Sequence, residues 1–205
     1  MRKSIGFLPT LVLRLAGAIV SIGPGRAAAV TYTLETIGSG TLDGVAYTDA
    51  SVVLTMHNDT TNVVSGPPGG PDFTIPGTIT VSVGGGPSET FTDPGTNVFV
   101  DQKFGTSSAI GFDGMTEFAV LGIDSSAFST YDLKTSIGPV SGSVLSTFGL
   151  PFPTSSGLFV INSSGDTTFT ATVVPEPSSW MLLAMGFPGL GLLHRRDLLR
   201  GSAAG

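Results

Sequence analysis

Between Val30 and Val173 apolar and polar residues alternate, and Gly, Pro, Asn and Asp cut the chain into short runs. From Val30 to Ile37 the alternation has the period of two of a half-buried strand, whose successive side chains point to opposite faces. Gly38-Ser39-Gly40 predicts a break. Tyr47 and the run Ser51 to His57 predict the next strands, with a turn at Asn58-Asp59. Val63-Val64 precede a loop over Gly66 to Pro71. Thr78 to Val83 is the clearest strand, joined through Gly84 to Pro87 to Glu89–Thr92 as a hairpin. Asp93-Pro94-Gly95 then turns the chain into Asn97–Lys103. Further strands are predicted at Ala109–Phe112, Glu117–Ile123, Thr130–Thr135 and Ser143–Phe148, with one helical turn at Ser125–Ser129. A closing pair, Gly157–Asn162 and Thr167–Val173, is expected across Ser163 to Asp166. Short strands every 8–12 residues with turn signals between them predict an all-β domain, an antiparallel β-sandwich or jelly roll. No exact internal repeat favours a solenoid.

The ends break this pattern. Arg2-Lys3 precede an apolar stretch from Ile5 to Ile22, interrupted by Pro9 and Arg14, and Ala27-Ala28-Ala29 offer small residues for cleavage. This order predicts a secretory signal helix over residues 1–29, cut after Ala29 by signal peptidase, with Ala27 and Ala29 as the recognised small residues. At the other end Glu176-Pro177-Ser178-Ser179 suits a helix start. From Trp180 to Leu193 no charge appears; Leu182, Leu183, Gly186, Phe187, Gly189, Leu190 and Leu192 lie between. That run of about 14 residues is shorter than the ~20 of a standard span. Counted from Ser178 to Arg196, however, a helix is about 28 Å long, close to the bilayer core. Trp180 suits one interface, and Arg195 and Arg196 the other, as a stop-transfer pair kept on the cytoplasmic side. The expected organisation is a signal peptide over 1–29, an exported β-domain over 30–173, a membrane anchor over 174–196 and a cytoplasmic tail over 197–205. Pro188 and three glycines weaken the second half of the anchor helix, which fits a transient anchor better than a permanent one.

Charge and composition narrow the functional classes. The net charge of −6 understates the acidity of the exported part, where Lys103 and Lys134 are the only Lys or Arg. Without clustered cations there is no footprint for a nucleic-acid partner. The chain has no cysteine, which removes disulfides, thiol catalysis and cysteine metal sites.

Little in the exported part points to catalysis. His57 is its one histidine and the obvious general base, but no Gly-x-Ser-x-Gly elbow accompanies it. Glu35, Glu89 and Glu117 are the carboxylates that could pair as in glycosidases, which needs a separation that sequence cannot test. Asp93 to Asn97 is rich in oxygen but lacks the ligand spacing of a calcium loop, and no histidine pair suits zinc. No catalytic, metal or cofactor residue is therefore assigned. Tyr32, Tyr47 and Tyr131 are the aromatics considered for sugar stacking, with the Phe residues better used as core. Thr-x-Thr pairs follow from the strand propensity of threonine.

Val174-Pro175-Glu176-Pro177, the apolar helix with Gly186-Phe187 and Gly189-Leu190-Gly191, and then Arg195-Arg196 resemble the PEP-CTERM sorting signal of Gram-negative bacteria. The same segment is sometimes labelled the ice-binding protein C-terminal domain. The resemblance covers the last tenth of the chain; Pro188 and the extension from Asp197 to Gly205 depart from its usual form. It implies processing by an exosortase, a membrane-embedded cysteine protease or transpeptidase. Its substrates are exported surface or matrix proteins, which brings in exopolysaccharide as a further partner. The expectation is an exported cell-envelope or extracellular-matrix protein with a non-enzymatic structural or interaction β-domain. A carbohydrate-binding or adhesive module is the alternative, and a secreted carboxylate-dependent hydrolase the third reading.

Overall fold

The structure, a computed structural model, describes residues 27–175 apart from 67, 69, 116 and 117. Those residues form an all-β, antiparallel fold. Its strands are β1 (Ala28–Leu42), β2 (Val45–Asp59), β3 (Val64–Ser65), β4 (Phe73–Pro76), β5 (Ile79–Val83) and β6 (Glu89–Thr90). They continue with β7 (Asn97–Asp101), β8 (Ala109–Met115), β9 (Phe118–Asp124), β10 (Ile137–Leu145), β11 (Phe152–Pro153) and β12 (Leu158–Pro175). The strand order is β3-β4-β7-β8-β9-β10-β12-β1-β2-β5-β6, with β11 on β12. The expected all-β class is met as one curled antiparallel sheet. The expected terminal helices, over 1–29 and from Ser178 onward, fall almost wholly outside the described residues.

The sheet curls because one strand serves both of its halves. Ile137, Val140, Ser141 and Gly142 of β10 pair with β12, whereas Ser143 to Leu145 pair with β9. A Cβ on Gly142 would lie 2.2 Å from the Asp124 carbonyl oxygen, so only glycine admits the close approach at this corner. Inward side chains from the two halves then meet in a single core. Tyr32, Leu34, Leu54, Met56, Val81, Phe159 and Phe169 face Ile75, Val98, Val100, Ile110, Phe112 and Ile123. Each large apolar side chain so buried contributes about 1.5–3 kcal/mol against exposure. Phe169 is the aromatic centre: Tyr32 stacks on it at 6.3 Å, and Phe128 meets it edge-on at 5.8 Å.

Three predicted elements differ most from the observed ones, besides the strand expected at Ser143–Phe148, which is observed as Ile137–Leu145. First, β1 runs through Gly38-Ser39-Gly40. The register shifts there against both neighbours, and Asp49 of β2 takes a left-handed φ of 48° beside the shift. A Cβ at Gly40 would meet the Val160 carbonyl oxygen at 2.0 Å, so the glycine allows a bulge and close packing instead of ending the strand. Second, the expected closing hairpin across Ser163–Asp166 is one strand of 18 residues. β1 pairs with both halves of it, from Val30 opposite Val173 to Leu42 opposite Phe159, and the polar residues are absorbed as bulges. Third, Thr130–Thr135 is a pinned loop. Leu133 has φ 63°, outside any strand, and its carbonyl accepts a hydrogen bond from the buried Tyr32 hydroxyl at 2.5 Å. The predicted turn at Ser125–Ser129 is present as a 3-10 turn over Ser126–Phe128.

Both sheet edges are short. β3 has two residues, and β6 with the residues after it is covered by β11 and the segment that follows, where Thr92 N–H donates to Pro153 O and Ser155 N–H to Thr90 O. This leaves little open ladder for edge-to-edge pairing.

Candidate functional site

The two junctions expected from the sequence meet at one end of the β1–β12 ladder. Val30, the expected first residue after the signal peptide, pairs with Val173, the expected last residue of the domain. Ala29 pairs with Val174 and Ala28 with Pro175. Val30 is buried and starts the core face of β1. The Val173 N–H donates to Ser136 Oγ at 2.8 Å, which ties the last core residues to the start of β10. β12 has no β10 partner beyond Ala171, so among the described residues Ala28 and Ala29 are the strand partners of Val174 and Pro175. Val174 is 59% exposed, so side-chain packing adds little to hold it.

The other neighbour of this end is β2. Ala29 lies opposite Asp59, whose Oδ1 accepts from Thr61 N–H at 2.8 Å and Thr61 Oγ1 at 2.6 Å. The Thr61 hydroxyl and then its amide hold the Asp59 carboxyl below its usual range. Asn58 Nδ2 donates to Pro76 O at 2.8 Å, joining β2 to the end of β4. The end of the fold that carries both junctions is thus an ordered platform.

Of the residues predicted for sorting, Val174 and Pro175 lie in β12, and Glu176 and Pro177 lie outside the described residues. The anchor residues Trp180, Leu182, Leu183, Gly186, Phe187, Gly189, Leu190, Leu192 and Leu193, with Arg195 and Arg196, also lie outside. Among the described residues no helix is long and apolar enough to cross a membrane. Ala27 directly precedes β1, and Ala29 is an exposed residue of it.

The residues considered for catalysis are scattered. His57 is exposed on the outer face, with Nδ1 2.9 Å from Thr31 Oγ1. Glu35 Oε1 accepts from Ser51 Oγ at 3.5 Å. Glu89 accepts from Ser155 Oγ at 2.6 Å and Ser156 Oγ at 2.5 Å, and these bonds pull its carboxyl below the usual range. They clamp the covering segment onto β6. Glu35 and Glu89 are three strands apart in the sheet, about 14 Å at ~4.8 Å per strand. Glycosidase carboxylates sit about 5–9.5 Å apart. Glu117 lies outside the described residues. Among the described residues no three His, Asp or Glu side chains gather as metal ligands.

The aromatics considered for sugar stacking are engaged elsewhere. Tyr32 and Tyr131 are buried, and Tyr47 lies parallel to Phe159 at 6.4 Å with its hydroxyl on Val160 O. Burial raises all three phenols above their usual range.

One polar feature was not legible in the sequence. Asp113 of β8 stands opposite Asn97 of β7, and burial pushes its carboxyl up to about 6, an Asn97 hydrogen bond opposing this. Asn97 Oδ1 and the nearby-in-sequence Asp93 Oδ2 are buried without a hydrogen-bond partner. The predicted strand ended at Phe112; its extension through Met115 is what takes Asp113 out of a solvated turn.

Residues 173–196 match the PEP-CTERM protein-sorting motif. No curated protein and no solved structure matches the chain.

Proposed function

We propose that a chain whose residues 173–196 match a PEP-CTERM sorting motif is an exported protein that an exosortase cleaves at Pro175-Glu176-Pro177. Its β-domain serves as a structural or interaction module of the cell envelope or extracellular matrix. The observation that carries this reading is the match of residues 173–196 to the sorting motif, which starts within β12, the last of the described strands. The buried core of the described residues runs from Val30 to Ala171, ahead of the motif, so loss of the motif's apolar part removes none of these residues. The non-enzymatic role of the domain is supported by the separation of Glu35 from Glu89 and by the hydroxyl partners of His57 and Glu89, each spent on sheet contacts.

Replacing Pro175, Glu176 and Pro177 together with alanine tests the sorting. Export proceeds, and full-length protein accumulates in the membrane fraction without the C-terminal cut, as read by intact mass and by a C-terminal epitope. Identical processing of variant and parent would reject the assignment.

A further inference from the structure

The register of the β1–β12 ladder links two events that the sequence presents as separate. If the signal peptide is cut after Ala29, the segment that leaves includes Ala28 and Ala29. These are the strand partners of Pro175 and Val174. Val173 remains held, by Val30 across the ladder and by Ser136 Oγ at 2.8 Å. Among the described residues Val174 and Pro175 have no other strand partner. Val174 is 59% exposed, and Pro175 has no N–H with which to find a new partner.

We propose that the two cuts are ordered by this pairing: removal of residues 1–29 strips the start of the sorting motif of its strand partners and makes it available for the second cut. The proposal rests on the sorting reading above. A protease takes its substrate as an extended segment, through the main-chain groups that a β-ladder already occupies. In the precursor, Val174 and Pro175 are the outer residues of a three-stranded end, β2–β1–β12, and the ladder must open locally before they can be bound. The first cut is hydrolysis of the Ala29–Val30 bond, in which water supplies the hydroxyl to the Ala29 carbonyl and a proton to the Val30 amine. The freed strand now starts at Val30, one step short of Val174. The second cut likewise breaks a peptide bond in the Pro-Glu-Pro segment, with water completing the new carboxyl and the amine leaving on the anchor.

Two variants of the full chain separate strand pairing from cleavage itself. Ala27→Leu with Ala29→Leu blocks the first cut, which needs small residues, but keeps the β1 backbone paired. Ala28→Pro with Ala29→Pro blocks the same cut and also removes both N–H groups from that end of β1. Both are followed by pulse–chase in the exporting cell, with intact masses and epitopes at each end. Loss of one or two net hydrogen bonds of about 1 kcal/mol each corresponds to about a tenfold change in the opened population. The C-terminal cut is therefore expected to slow about tenfold in the leucine variant and to return close to the parent rate in the proline variant. In the parent, the species lacking only the signal peptide appears before the doubly cut one.

A leucine variant cut at its C-terminus as fast as the parent overturns the ordering. Equal slowing in both variants overturns it too, because the dependence then does not run through strand pairing. Both results leave the sorting reading standing. Absence of the C-terminal cut in the parent itself removes that reading, and the ordering with it.

Discussion

Substitution of Asp113 by Asn tests the desolvation of the carboxyl that β8 sets opposite Asn97 of β7. In the folded protein burial raises the Asp113 carboxyl from 3.8 to about 6, with the Asn97 hydrogen bond opposing the rise. The native state therefore keeps its proton at pH values where the unfolded chain has lost it, so stability falls as the pH rises from about 4 to above 6. At about 1.36 kcal/mol per pH unit, the full effect is about 3 kcal/mol, present at pH 7 and absent near pH 4. Asp113→Asn keeps the shape and removes the charge. With a urea slope of about 2 kcal/mol per M, the unfolding midpoint followed by far-UV circular dichroism rises by about 1.5 M at pH 7 and hardly moves at pH 4. Asp59 and Glu89 act in the opposite sense, since their lowered values give stability that is lost only on further acidification. For these three groups the two windows meet near pH 4, with stability falling on either side of about that value. A midpoint shift of equal size at both pH values refutes the desolvation argument, as does a variant weaker than the parent at pH 7.

Two further substitutions probe the frame that positions the junctions. Tyr32→Phe keeps the stacking on Phe169 but leaves the Leu133 carbonyl without its donor, at a cost of about 1–3 kcal/mol in urea unfolding. No loss would show that the pinned loop does not depend on this bond. Gly142→Ala puts a Cβ 2.2 Å from the Asp124 carbonyl oxygen, where backbone on both sides must move. The expected cost is about 1–3 kcal/mol, with faster amide exchange at Ser143 to Leu145 than in the parent. Unchanged exchange there would mean that the sheet does not turn its corner on Gly142.

The strands that alternate cleanly were legible from the chain: Val30 to Ile37 and Ala109 to Phe112 fall within observed strands, and the strand expected from Thr78 to Val83 is observed from Ile79. Local signals failed where a distant partner outvoted them. Gly38-Ser39-Gly40 and Ser163–Asp166 both read as breaks, yet each lies opposite the other in the ladder and is carried through as a bulge. Thr130–Thr135 has good strand propensity, but the hydroxyl of Tyr32, a hundred residues earlier, holds Leu133 in a left-handed conformation. Asp113 gives no sign of its shifted carboxyl, because desolvation depends on what the neighbouring strands bring over it.

The primary structure alone was enough for the sorting motif, the acidic cysteine-free body and the all-β class. Each of these is a matter of residue order over a short window, such as the run of uncharged residues after Pro177 or the alternation of a single strand. Which residues meet is not written in any window, since pairing at long range depends on register accumulated along whole strands. Val30 and Val173 mark the two predicted ends of the domain, and only the folded sheet sets them opposite one another. That one pairing turns two separate junctions into a single place, because a β-ladder holds each residue by the partner across from it.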